Sequence, residues 1–175
     1  MDLIRKINSK NKDLSIKIHP IDYVHLRPEH VFPINVTLRQ HFWNGIDISE
    51  CLEYTDYTIV ALYGKLIIGF AFMVPNEAQN QAYLSFIWVH PDWRNLRKRQ
   101  KNNDVSIGQY MLYYLIQKCE NYEIQLHVSV NSSVVAFYQK FGFKIEEYIK
   151  NFYDKYYSNE TKLSKDAFLM RLSRN

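Results

Sequence analysis

The sequence predicts an α+β domain: a mixed sheet with helices on its faces. Three observations carry this reading. Residues 57–63 and 66–74 are two apolar runs around Gly64-Lys65, a hairpin signature. Residues 83–89, 106–119 and 124–130 read strand, helix, strand, a crossover unit that sets two strands parallel. Two further runs, 143–152 and 167–172, add strands at the C-terminal end.

Taken in order, residues 1–14 read as a polar arm, and residues 15–175 as one domain. Ile16 and Ile18 alternate with polar neighbours, so 15–19 predicts a short strand. Val31, Ile34, Leu38 and Phe42 recur at helical spacing between Arg27 and Trp43, and a helix there starts near Pro28 or Pro33. Asn44-Gly45 is a turn, and 47–52 a second short helix. The hairpin follows, then a polar loop over 75–79, then the strand 83–89 ended by Pro91. Residues 92–105 are polar and hold Arg94, Arg97, Lys98, Arg99 and Lys101. Ile107, Met111, Tyr114, Leu115 and Cys119 trace one face of the helix 106–119. The strand 124–130 ends near Asn131, and a helix over 132–140 stops at Gly142. A connection rich in tyrosine and charge, 153–165, joins the last two strands.

The bulk properties allow such a domain. The 175 residues are 47% hydrophobic, enough apolar mass to order the chain. The 14 tyrosines exceed what a core needs and suggest a wet groove or an interface. A net charge of +4 permits an acidic partner without requiring one. Cys51 and Cys119 lie far apart with no CxxC spacing, which suits reduced thiols in an intracellular protein. No zinc pattern and no membrane-length apolar run is present, and the first residues lack a secretory h-region.

Two segments carry chemistry. The first is Val89-His-Pro91-Asp-Trp-Arg94, followed by Ser106-Ile107-Gly108 at a helix start. Such a start presents unpaired N–H groups and partial positive charge, and phosphates bind there. Ser106 can act as its N-cap, and Gly108 allows close approach of a ligand. The second segment is Asn131…Tyr138…Gly142-Phe143. Taken singly, each reads as easily as an ordinary capped helix and a packed tyrosine.

Together they resemble the two cofactor-binding motifs of the GCN5-related N-acetyltransferase (GNAT) superfamily. Longer stretches, among them His41-Phe-Trp-Asn-Gly-Ile-Asp-Ile-Ser-Glu-Cys-Leu52, Leu126-His-Val-Ser129 and Phe152-Tyr-Asp-Lys-Tyr-Tyr157, are similar to one branch of it. That branch provides a histone acetyltransferase subunit of the metazoan ATAC complex. The likeness covers residues 15–173.

The resemblance implies a mostly antiparallel sheet whose fourth and fifth strands splay apart around the pantetheine arm of acetyl-CoA. Ile87, Trp88 and Val89 would offer a backbone edge to that arm. Arg94 and the amides of Ser106, Ile107, Gly108, Gln109 and Tyr110 would hold the pyrophosphate. Asn131 would brace the pantetheine, and Tyr138 would protonate the departing thiolate. The implied reaction is direct acetyl transfer to a lysine amine, in histones, within a multiprotein chromatin complex in the nucleus. No metal is implied.

The base that frees the amine stays unassigned. Many relatives use a Glu on the fourth strand, but 83–89 holds Tyr83 and Ser85 and no carboxylate, and the preceding Gln81 cannot serve. Glu77, His127, Asp47, Glu50 and Asp154 are the candidates. Asp47, Glu50 and Asp154 are also candidates for holding a basic substrate. The loop departs from the family pattern too: eleven residues, 95–105, stand where two are expected, and Ser106 replaces the first Gly. Three readings compete. The loop bulges away from an intact phosphate site; its Arg and Lys contact phosphate or DNA; or CoA binding is weakened, leaving a catalytically silent scaffold of a chromatin complex. The charge balance argues against nucleic acid as the main partner of the 94–101 stretch.

Overall fold

A computed structural model of the chain describes residues 20–94, 105–158 and 161–173. The arm 1–14, the strand expected at 15–19 and positions 95–104 of the basic loop lie outside the described residues. Ten regular elements appear among those described: β1 (Ile21–Val24), α1 (Pro28–His41), β2 (Thr58–Tyr63), β3 (Leu66–Asn76), β4 (Gln81–Val89), α2 (Ile107–Lys118), β5 (Glu123–Ser129), α3 (Val135–Gln139), β6 (Lys144–Ile149) and β7 (Ala167–Leu172). Short 3-10 turns at Ser49–Tyr57, Glu77–Gln79 and Pro91–Trp93 punctuate them. The expected helix at 47–52 is therefore a 3-10 segment that starts later and runs on to β2.

The sheet order is β1-β2-β3-β4-β5-β7-β6. Every pairing is antiparallel except β4 with β5, which the crossover through α2 makes parallel. The β2–β3 hairpin closes on Gly64-Lys65, with Gly64 at φ +61, a value that a two-residue turn demands and glycine supplies freely.

Two cores sit on opposite faces. Val60, Phe70, Phe72 and Trp88 pack with Leu26, Ile34 and Leu38 on the α1 side. Ile59, Ala61, Ala71, Met73, Ala82 and Leu84 pack with Ile107, Met111, Leu112 and Leu115 on the α2 side. β3 feeds both, so its middle is apolar without a break and Ile68 through Met73 are all buried. Met111, Leu112 and Leu115 are fully buried, each a gain of about 1.5–3 kcal/mol over exposure. Gly69 lets α2 approach this closely: an added Cβ would lie 3.2 Å from Met111 Cε and 3.3 Å from Ile107 Cγ2.

α1 starts at Pro28 and passes through Pro33, so the earlier of the two prolines is its first residue. The run 143–152 is strand only over Lys144–Ile149, because Asn151 adopts φ +56 and turns the chain away.

Candidate active site

The site begins as a fork in the sheet. β4 and β5 pair at Gln81–Glu123, Ala82–Ile124 and Tyr83–Gln125 and then part. The β3–β4 register slips between Met73–Leu84 and Phe72–Phe86, leaving Ser85 as an extra, bulged residue where the fork opens. From Leu84 to Val89 the outer edge of β4 has no strand beside it among the described residues. Ile87, Trp88 and Val89 thus stand on an open edge. The side chains of Ile87 and Val89 pack into the α2-side core, while Trp88 packs into the α1-side core.

The α2 N-terminus flanks the same fork. Ser106 Oγ accepts from Gln109 N at 3.3 Å and Gln109 Oε1 accepts from Ser106 N at 3.0 Å, a reciprocal capping box. Tyr110 N donates to Ser106 O. Of the five amides expected to hold phosphate, three are therefore spent within the chain. Ile107 and Gly108 keep amides with no partner among the described residues. A Cβ on Gly108 would sit 3.5 Å from Val89 Cγ2 and 3.8 Å from Phe137 Cζ. The bare Gly108 backbone thus faces the mouth between β4 and α3. Free amides, a helix dipole and a side-chain-free wall fit an anionic diphosphate with a slender arm. Arg94 Nε donates to Val89 O at 2.7 Å, which anchors this guanidinium at the end of β4.

Tyr138 lies on the α2 side. Its ring meets Phe137 and Phe143 edge-on, and Gly142 at φ +92 ends the turn that carries it. It is 7% exposed. Burial, and next the neighbouring Tyr83 phenol, raise its pKa well above 10, so the hydroxyl keeps its proton. No described residue hydrogen-bonds that hydroxyl.

The opposite face of the fork holds a polar pair. Alternation along β4 and β5 turns Tyr83 and His127 away from α2, and the Tyr83 hydroxyl lies 2.9 Å from His127 Nδ1. Burial lowers the His127 pKa below 6.5 against the Glu147 carboxylate, so the ring is neutral at pH 7. Burial pushes Tyr83 up to about 12 against a hydrogen bond from the His127 backbone. The Phe152 ring stacks on His127 at 4.0 Å and 11°. Around the pair stand more rings. Tyr153 stacks on Tyr157 at 4.5 Å, and Trp43 meets Tyr156 at 4.7 Å and Phe86 at 5.9 Å. Tyr83 as the partner of His127, and Phe152 as its platform, were not legible in advance. A period-two reading of both strands would have put Tyr83 and His127 on one face.

The other candidates fall elsewhere. Asp47 Oδ1 accepts from Asn35 Nδ2 and from the backbone and hydroxyl of Ser49, which hold its pKa down at about 2. It orders the start of the 3-10 segment and is spoken for. Glu50 is exposed on that segment. Asp154 pairs with Lys165 at 2.9 Å. Glu77 precedes β4, beyond the closed end of the fork, where it lines an open cavity of about 540 Å³ with Glu53 and Asp56. Asn131 donates to Lys162 O at 3.0 Å and accepts from Ser164 N at 2.7 Å and Ser129 Oγ at 2.9 Å, so its carboxamide is engaged within the chain. Of the base candidates, His127 alone is brought to the fork with its proton-accepting form favoured.

Known proteins share this sequence pattern and fold. The model of the Acetyltransferase (GNAT) family matches residues 23–143. The chain is 48% identical over 155 residues to the human cysteine-rich protein 2-binding protein, covering 89% of this chain and 19% of that protein. It is 28% identical over 132 residues to N-alpha-acetyltransferase 50 of Danio rerio, covering 71% of this chain and 69% of that one. A solved structure of Arabidopsis thaliana Naa50 in complex with the bisubstrate analogue CoA-Ac-MVNAL superposes with a TM-score of 0.67 at 20% identity, over 88% of this chain and 99% of that one. At that identity the last likeness speaks to fold. This chain belongs to the Acetyltransferase (GNAT) family.

Proposed function

We propose that this domain acetylates the side-chain amine of lysine in a protein substrate, a histone, as part of a chromatin complex in the nucleus. The observation that carries the chemistry is the placement of Tyr138 on one face of the fork and the neutral Tyr83–His127 pair on the other. The histone and the nuclear setting rest on the long motif likeness at 41–52, 126–129 and 152–157. The aromatic wall of Trp43, Phe86 and Tyr153 suits a long aliphatic arm with a cationic tip.

Acetyl-CoA supplies an acetyl group on a thioester. The amides of Ile107 and Gly108 hold its phosphates, and Arg94 stands at the same mouth. His127 Nε2 takes a proton from the acceptor ammonium, through water or directly, so that the nitrogen lone pair attacks the thioester carbonyl. In the competent tautomer Nδ1–H donates to the Tyr83 oxygen, leaving Nε2 as acceptor. An N–H on the open β4 edge, within Ile87, Trp88 and Val89, stabilises the negative oxygen. As the C–N bond forms and the C–S bond breaks, Tyr138 gives its proton to the sulfur, and the new amide nitrogen sheds its surplus proton through water to restore the Tyr138 phenol.

A second acceptor class has its own support. The 28% identity to N-alpha-acetyltransferase 50 and the low basicity of His127 suit a peptide α-amine, whose pKa is about 7.7–8.0 against about 10.4 for lysine. Two peptide sets separate the readings: histone-tail peptides with a blocked N-terminus and free lysines, and lysine-free peptides with a free N-terminus. Transfer to the second set alone would overturn the lysine reading. Calorimetry with acetyl-CoA comes first. No binding at millimolar ligand would remove the enzymatic reading, and binding without turnover on either set would support a scaffold.

A further inference from the structure

The connection between β6 and β7 delivers the ring that supports His127. It leaves β6 at Ile149, turns at Asn151, lays Phe152 on His127 and buries Tyr153. Its return leg, 161–166, is pinned to the end of β5. Asn131 Nδ2 donates to Lys162 O, Ser164 N donates to Asn131 Oδ1, and the buried Ser129 hydroxyl lies 2.7 Å from Ser164 O. The two legs are joined where Tyr153 N donates to Lys165 O at 2.8 Å and Lys165 reaches Asp154. A continuous set of bonds therefore runs from the Asn131 carboxamide through the return leg to the Phe152 ring.

We propose that Asn131 is a positioning residue of the acceptor side: its carboxamide pins the return leg 161–166 so that Phe152 stays stacked on His127. The inference rests on His127 serving as base. Several observations favour it over a role toward acetyl-CoA. The side-chain oxygen accepts from Ser164 N and shares the one Ser129 hydroxyl proton with Ser164 O, and the amide nitrogen donates to Lys162 O. All three partners belong to β5 or to the connection. The connection's Phe152 ring stacks on His127 and meets Tyr153 edge-on, while the free amides of α2 lie at the other face of the sheet.

The test is Asn131→Ala in the intact chain with three readouts. His127 ring protons, shielded by Phe152 in the stack, move downfield in NMR spectra. The KM for an acceptor peptide rises and kcat/KM falls, by up to about 10²-fold if His127 is displaced by an ångström. The acetyl-CoA Kd from calorimetry is unchanged. Unmoved His127 ring protons overturn the proposal, and so does a weakened acetyl-CoA Kd with an unchanged acceptor KM. Should Asn131→Ala not fold, Asn131→Asp keeps both acceptor bonds and loses the donation to Lys162 O. The ring protons and the acceptor KM then shift in the same directions by less, the acetyl-CoA Kd again stays unchanged, and unmoved ring protons again overturn the proposal. The ring-proton shift does not depend on activity. A base reading that fails, seen as an undiminished His127→Ala rate, is thereby told apart from a failure of the Asn131 assignment.

Discussion

His127→Ala should change the pH dependence of catalysis as well as its rate. In the native site the imidazole is neutral above about pH 6.5, because burial holds its pKa below that value. A lysine substrate can then bind as the ammonium and be deprotonated in place, so kcat/KM is flat from about pH 7 to 9. Without the base, only amine that is already neutral reacts. With a lysine pKa of about 10.4, the neutral fraction at pH 7.4 is about 10⁻³, equivalent to ~4 kcal/mol. The loss is therefore about 10³-fold at pH 7.4 and about tenfold at pH 9.4, within the range of general-base catalysis. For a peptide α-amine of pKa about 8, the same arithmetic gives only about a fivefold loss at pH 7.4. Steady-state rates with both peptide classes across pH 6 to 9.5 measure this. Parallel native and variant profiles would refute the assignment of His127, whatever their separation.

Further outcomes follow from the same site. Tyr138→Phe should lower kcat by roughly 10²-fold or more while the acetyl-CoA Kd from calorimetry stays put, since the ring packing is kept and only the proton is lost. Gly108→Ala places a methyl at ordinary contact distance from Val89 and Phe137. It should leave Tm unchanged or slightly raised, as alanine favours helix by about 1 kcal/mol, yet weaken acetyl-CoA binding; a calorimetric titration beside a melting curve separates the two. Asp47, held at about 2 in the folded state, contributes stability that is fully present above about pH 4 and lost as pH falls toward 2. Urea midpoints of Asp47→Asn and the native protein should therefore converge over that window, and a constant gap would count against the network with Asn35 and Ser49.

By itself the sequence determined what local chemistry decides. Gly64-Lys65 can only turn tightly, so the β2–β3 hairpin is where its apolar runs place it. The β-α-β order forces β5 parallel to β4. Ser106 caps α2 with its own hydroxyl, and Gly142 ends the turn that carries Tyr138. These rest on bonds and dihedrals within a few residues, and a linear reading captures them. Tertiary structure decided the rest, because the deciding partners lie tens of residues apart. Tyr83 meets His127 across 44 positions once the strands align at Tyr83–Gln125. Asn131 stands where its motif puts it, yet Lys162 and Ser164, more than thirty positions away, take up its carboxamide. Ser106, Gln109 and Tyr110 satisfy one another and leave the Ile107 and Gly108 amides without a partner among the described residues. His127, one candidate base among five in the sequence, became the one at the fork when burial kept it neutral and Phe152 came to rest on its ring.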